Sequence, residues 1–321
     1  MTMKKIISID LGNSMLKAVT ITGKGELKKA KLKNLYATDR RMHTPKDRII
    51  EQNGKVVILG VGEANNNVLK HTRKYLEQQA LTMINELYEN DYEIKCELRI
   101  GIPANHFLNG AYVDKLKEAF TTNEWIEFYM GENRIKKRVY IEEVKVYAEG
   151  YSAFFAIEHI LNEMEHKPQN VLCCDVGGGT TDLAWFEYNY DDEEYDYVDI
   201  HTLEKGVIDL TKIIATEINN ELGSNVKDTR IDALLRQNVD YYEFEGNKHK
   251  LNKYMFAIEE TVDNMINEIT DKFDVLGNYY VVGLGGGYPT FSVIAKNHIK
   301  ADIEIDKELA FYANAVGYLK Q

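Results

Sequence analysis

The sequence predicts an α/β protein made of two related halves, on three observations: a β-hairpin pattern that occurs twice, strand and helix patterns that alternate around it, and a length and composition suited to two folded domains. Ile6–Val19 and Val171–Ala184 align without gaps. Asp10 and Gly12 fall where Asp175 and Gly177 fall, and Lys17 shares its offset with Asp182. In each copy a short apolar run, a polar turn containing glycine and a returning apolar run make a hairpin. A repeated unit of this kind starts a domain in each half.

The elements follow in order. Lys55–Leu59 reads as a strand after the hairpin dipeptide Asn53-Gly54. Tyr75–Leu87 carries a helical period, Ile94–Ile102 a strand pattern ending at Pro103, and Asp114–Phe120 a second helix. Val139–Val146 is a strand, and the amphipathic run Glu149–Met164 is the helix that carries the chain into the second half, ended by Lys167-Pro168-Gln169. There, Asp209–Leu222 is helical, and Leu251, Met255, Ile258, Val262, Met265, Ile269 and Phe273 mark one long helix. Tyr279–Leu284 is a buried strand leading into Gly285-Gly286-Gly287. Lys307–Leu319 is a helix whose Ala310, Ala313 and Gly317 allow close packing.

The composition excludes several classes of function. With 321 residues, 44% hydrophobic and 28% charged, and only 4 prolines, the chain is an ordinary folded one and not a disordered or low-complexity one. A net charge of −12 repels nucleic acid and anionic membrane, so direct DNA binding is a poor reading. Three cysteines, Cys96 and the adjacent Cys173 and Cys174, form no even disulfide framework, which points to reduced thiols and the cytoplasm. Asp10, Asn13 and Lys17 interrupt the first apolar stretch, so no targeting or spanning segment is expected.

Glycine turns after apolar strands let backbone N–H groups approach an anion. Gly177-Gly178-Gly179-Thr180-Thr181 is the strongest such turn, with Asp175 just upstream to hold a hydrated Mg²⁺ beside the phosphates. Asp10 occupies the equivalent place before Gly12-Asn13-Ser14. A lone turn of this kind is more often only a tight hairpin, and Lys17 could be a solvated strand lysine; the duplication and a third glycine cluster favour a nucleotide. Gly283–Pro289 lies too near the C-terminus for a dinucleotide fingerprint, and Gly60-Val61-Gly62 reads as a loop. No zinc-ligand spacing or nucleophile elbow occurs. The basic run Arg134–Arg138 and the acidic run Asp191–Glu194 read as hairpin tips.

Five ordered motifs then resemble the superfamily of actin, sugar kinases and heat-shock chaperone ATPases. Asp10–Lys17 resembles its first phosphate loop, Val146–Ala153 the first connecting helix, Asp175–Asp182 the second phosphate loop, Val281–Gly287 the adenosine loop, and Asn314–Gly317 the second connecting helix. Within it, Lys205–Leu210 followed by a helix, a short helix, a polar hairpin and a long helix is similar to the bacterial actin-like proteins of the ParM (StbA) type.

The resemblance implies an actin-like fold of two related RNase H-like domains around a nucleotide cleft, with domain I at 1–165 and 306–321 and domain II at 166–305. It implies an ATPase in which Glu149, assisted by Asp175, orients the attacking water, while Asp10 and Asp175 hold Mg²⁺. Glu149 would equally suit a helix N-terminus as a purely structural residue. ATP, with GTP as the alternative, would contact Gly12, Asn13, Ser14, Lys17, Gly177, Gly178, Gly179, Thr180, Thr181 and Asp182. Its adenosine would lie at Gly206, Gly285, Gly286, Gly287 and Tyr288. Asn13 stands where many relatives carry Ser or Thr. The implied partners are further copies of the chain, in filaments, and a small ParR-like DNA-binding adaptor on centromeric plasmid DNA, with no direct nucleic acid and no membrane. The alternatives are a small-molecule kinase of the same superfold and a cell-shape or division scaffold.

Overall fold

The computed structural model describes residues 5–39, 48–65, 69–273, 276–295, 301–303 and 305–321. The chain divides into two units, one formed by residues up to Ile157 together with Tyr312–Gln321, the other by Glu158–Phe311.

In the first unit the predicted hairpin seeds a ten-stranded sheet. Its strands are β1 (Lys5–Leu11), β2 (Met15–Ile21), β3 (Leu27–Lys33), β4 (Leu35–Ala37), β5 (Arg48–Gln52), β6 (Lys55–Leu59), β7 (Glu63–Ala64), β8 (Glu93–Ile102), β9 (Ile126–Met130) and β10 (Ile135–Ala148). Their spatial order is β3-β2-β1-β8-β10-β9-β5-β6-β4-β7. β1, β8 and β10 run parallel at the centre. Strands covered on both sides read as nearly continuous apolar runs, and Cys96–Ile102 of β8 is buried throughout. α1 (Leu76–Leu87) packs on β1, β2 and β3 and buries Leu76, Ala80, Met83 and Leu87 along one stripe.

In this unit three helical boundaries differ from the sequence reading. Tyr75 adopts a left-handed φ of 57° and stands outside α1. After α2 (Ala104–Phe107), α3 covers Gly110–Glu118 instead of Asp114–Phe120, because the Asn109 side chain accepts from Ala111 N and starts the helix early. α4 covers Tyr151–Asn162, so Glu149 precedes the helix.

The second unit repeats the opening motif. β11 (Asn170–Val176), β12 (Thr181–Asn189) and β13 (Glu194–Leu203) form a meander like that of β1, β2 and β3. α5 (Val207–Leu222), α6 (Asp228–Arg236) and the hairpin of β14 (Tyr241–Phe244) with β15 (Asn247–Lys250) follow. The long helix expected from Leu251 opens as a 3₁₀ turn over Leu251–Tyr254 and continues as α7 (Phe256–Phe273). β16 (Tyr280–Leu284) lies parallel to β11, as β8 lies parallel to β1. The four-stranded sheet has the order β13-β12-β11-β16, and α8 (Tyr288–Ile294) leads away from it. Ile214, Ile218, Ile258, Val262 and Ile269 of α5 and α7 fill the core beneath the sheet.

α9 (Lys307–Lys320) returns the chain to the first unit. Arg99 donates from Nη1 to Tyr318 O at 2.8 Å and Leu319 O at 3.0 Å, capping carbonyls that the helix leaves open. Gly317 lies so close to α4 that a Cβ there would stand 1.7 Å from Ser152 O. Among the described residues no helix is long and apolar enough to cross a membrane.

Candidate functional site

The hairpin register of the first unit sets Asp10 opposite Lys17. Lys17 Nζ donates to Asp10 Oδ2 at 2.8 Å, and both residues are buried. Two cations that no motif marks complete the group. Lys70, 3% exposed, donates to Gly101 O at 3.0 Å and to Glu149 Oε1, and lies 3.8 Å from Asp10 Oδ1. Arg73 donates to Leu11 O and Asn13 Oδ1. Burial alone would raise the Asp10 carboxyl, but Lys17, Lys70 and Arg73 outweigh it and hold Asp10 below its ordinary value. Burial lowers the Arg73 guanidinium to about 10, against the pull of Glu149 and Asp10.

The turn itself is held from behind. Asn34 Nδ2 donates to Gly12 O at 2.8 Å and Asn34 N to Ser14 O at 2.9 Å, while Gln79 fixes the other side of the Asn34 amide at 2.7 Å. Asn13 is committed to Arg73, and Ser14 is exposed. Glu149 closes β10, its N–H bonded to Ile102 O at 2.9 Å, and is buried with its carboxylate on Lys70. It lies two residues before α4, with its carboxylate taken by Lys70. Lys17, Lys70 and Arg73 thus gather with Asp10 and Glu149 in one buried group.

In the second unit three glycine segments meet where parallel strands β11 and β16 end, the end at which open α/β sheets bind ligands. The loop Gly177–Thr180 closes with Gly177 N bonded to Thr180 O at 2.8 Å. The start of α5 rests on it: Val207 N and Ile208 N donate to Gly177 O and Gly178 O at 3.2 and 3.0 Å. A Cβ on Gly206 would stand 2.6 Å from Gly178 C, so only glycine permits that approach. Gly287 N donates to Val176 O at 2.7 Å. Gly285, at φ +84°, lies against Asp175, where a Cβ would stand 2.1 Å from Oδ1.

The predicted residues therefore fall in two groups, one in each unit. Asp182 is spent on its neighbours, accepting from Thr202 Oγ1 at 2.6 Å and Thr180 Oγ1 at 3.2 Å. Thr181 Oγ1 donates to Lys205 O at 3.0 Å, which ties the loop to the segment before α5. Tyr288 lays its ring across Gly283 of β16 and joins the core. The third glycine segment is braced by α6, through Arg236 to Gly286 O and Asp232 to Thr290. A cavity of about 500 Å³ in this unit lies elsewhere, lined by Leu235, Val239, Leu251, Met255 and Val262, and takes in none of the predicted residues.

Among the described residues no group of three or more His, Cys, Asp or Glu could hold a metal unaided. A hydrated Mg²⁺ brought with phosphates needs only one or two carboxylates. Asp175, beside the glycine cradle of the second unit, is a hard oxygen donor of that kind; Asp10, in the first unit, is the same donor type and accepts from Lys17.

Residues 8–151 match the family described as the N-terminal domain of actin-like proteins. The whole chain superposes on the crystal structure of an archaeal actin homologue with a TM-score of 0.74 at 19% identity, covering 98% of each chain. The fold is actin-like. The same archaeal protein in complex with ADP gives a TM-score of 0.70 at 20% identity, over 98% of this chain and 97% of that one. ParM of a 15-stranded filament from Clostridium botulinum gives 0.71 at 20% identity, over 99% and 98%. The likeness of fold to ParM extends over the chain from end to end. No curated protein sequence matches it.

Proposed function

We propose that this actin-like chain is an ATPase that assembles into filaments with Mg-ATP, disassembles after hydrolysis, and segregates plasmid DNA through a DNA-bound ParR-like adaptor. The observation that carries the nucleotide reading is the meeting of Gly177–Gly179, Gly206 and Gly285–Gly287 at the ends of β11 and β16, with Asp175 among them. Backbone N–H groups there can donate to phosphate oxygens without a Cβ in the way. The segments around Gly206 and Gly285 would take the adenosine. The archaeal homologue's complex with ADP supports the ligand class, and the Clostridium botulinum ParM filament supports self-assembly. A separate adaptor is consistent with a net charge of −12, which opposes direct DNA contact.

Hydrolysis in this reading forms a bond from water oxygen to the γ-phosphorus and breaks the bond to the β–γ bridging oxygen, giving ADP and phosphate. Glu149 orients the water, Lys70 holds Glu149 in place, and Lys17 and the loop amides receive charge on the phosphate oxygens. Asp10 and Asp175 would hold hydrated Mg²⁺, which when bound neutralises phosphate charge.

Light scattering with ATP, ADP and a non-hydrolysable analogue, with phosphate release followed in parallel, tests the proposal. Scattering should rise with ATP and decay as phosphate appears, and Glu149→Ala polymers should persist. Absence of assembly over a wide concentration range would overturn the filament reading.

A further inference from the structure

The repeat between the units gives each sheet an equivalent edge strand, and the two edges carry opposite charge. β3 ends the first sheet and β13 ends the second; each pairs on one side only among the described residues. Lys24–Lys33 holds five lysines and a single carboxylate, Glu26. Lys24, Lys28, Lys31 and Lys33 are exposed, and no described carboxylate pairs with Lys24, Lys28 or Lys33. The second edge is the reverse. No lysine or arginine occurs between Lys167 and Lys205, and the β12–β13 hairpin exposes Glu187, Asp191, Asp192, Glu193, Glu194 and Asp196.

Both edges also carry apolar groups. On the basic side Ile21, 55% exposed, stands in register with Leu27, 39% exposed. On the acidic side Tyr190 and Tyr197 are 66% and 45% exposed. Asn189 holds the acidic tip in shape by donating to Asp192 Oδ2 and Asp196 Oδ2, both at 3.0 Å.

We propose that the β3 edge of one copy docks against the β12–β13 hairpin of a second copy, lysines to carboxylates and Ile21 and Leu27 to the tyrosines. The inference rests on the self-assembly reading above and assigns it a pair of surfaces. The contact is heterologous: a pair of copies joined by it leaves one basic and one acidic surface unused, on which further copies can add. Lysines on an edge strand also serve to prevent edge-to-edge aggregation. The two roles differ in one respect: a protective row works equally well with glutamates, a docking row does not.

Two experiments on the full chain decide. In the first, equal amounts of ¹⁵N-labelled and unlabelled protein are treated with a carbodiimide, which joins lysine amines to carboxylates with loss of water, and mixed-isotope peptides are identified. Links between residues 24–33 of one copy and residues 187–196 of another are expected. In the second, Lys28→Glu/Lys33→Glu and Asp192→Lys/Glu194→Lys are compared, with binding of a fluorescent nucleotide as the check that each is folded. Each variant alone should need about tenfold more protein, or still more, to assemble, since like charges then face each other. A mixture of the two should recover, because the reversed edge of one variant meets the reversed hairpin of the other, and the unreversed edge meets the unreversed hairpin.

Links elsewhere, or variants that assemble like the parent, would overturn the contact. Filaments lacking these links leave the assembly reading standing without this contact. Mixed-isotope links without filaments leave the contact standing and remove the filament. Neither links nor filaments removes both.

Discussion

Gly285→Ala tests whether the glycine segment beside Asp175 is a built cradle. Gly285 sits at φ +84°, and a Cβ there would stand 2.1 Å from Asp175 Oδ1 and 2.5 Å from Val176 O. Left-handed backbone costs a residue with a Cβ about 1–2 kcal/mol. The contact with Val176 is to backbone, which cannot swing aside, and overpacking of that kind adds about 1–3 kcal/mol. The substitution should therefore cost about 2–5 kcal/mol in all. Gly25 supplies the control: its φ is +82°, and nothing lies within 4 Å of a Cβ built on it. Gly25→Ala should cost only the backbone share, about 1–2 kcal/mol. Urea unfolding gives both stabilities, and titration with a fluorescent ATP analogue gives affinities. Gly285→Ala should weaken nucleotide binding about tenfold or more, because Asp175 and the Val176 carbonyl must move. Equal destabilisation by the two substitutions, with unchanged affinity, would refute the reasoning.

Lys17→Met removes one partner of a buried ion pair and should cost about 3–5 kcal/mol, measured by denaturant unfolding. Because Asp10 is held below its ordinary carboxyl value of 3.8 in the folded protein, its contribution is complete above that value and is lost as pH falls through the lower folded pKa. Lys17→Met should therefore move the acid loss of stability to higher pH, read from unfolding between pH 2 and pH 6 at about one-unit steps. Burial pushes Cys96 and Cys174 up to about 12 and Cys173 higher still, so a disulfide reagent at about pH 8 should modify none of them until the chain unfolds, as counted by mass spectrometry. Gly317→Ala should destabilise despite a gain in helix propensity of up to about 1 kcal/mol, since its Cβ would stand 1.7 Å from Ser152 O; a rise in melting temperature would contradict this.

The two hairpins were legible because each places short apolar runs around a glycine turn, and the register follows from that pattern. The strands β3, β4, β5 and β7 were not, and β9 and β13 were implied only as arms of the hairpin tips read at Arg134–Arg138 and Asp191–Glu194. β3 reads LKKAKLK, and at a half-exposed edge its apolar face shrinks to Ala30 and Leu32, too few to register as a strand. The same limit hid Lys70 and Arg73. Two cations three residues apart on a short 3₁₀ turn are an ordinary surface pattern, and only the fold buries them against Asp10 and Glu149. The packing of the Tyr288 ring was hidden for the converse reason. Its place after a glycine run suggests a ligand contact, whereas Gly283 on the strand beneath leaves a gap that the ring fills.

The first unit is discontinuous: residues up to Ile157 acquire Tyr312–Gln321 only after the whole of the second unit has intervened. On the ribosome the chain emerges from the N-terminus, and a domain folds as a unit once its residues are out. The second unit, Glu158–Phe311, has its full complement of chain before the segment that closes the first has been made. Until then the guanidinium of Arg99 lacks the carbonyls of Tyr318 and Leu319. The unit that is begun first is thus finished after the second, and a ribosome stalled in α9 just past Phe311 would hold an unfinished first unit joined to a second unit whose chain is already made.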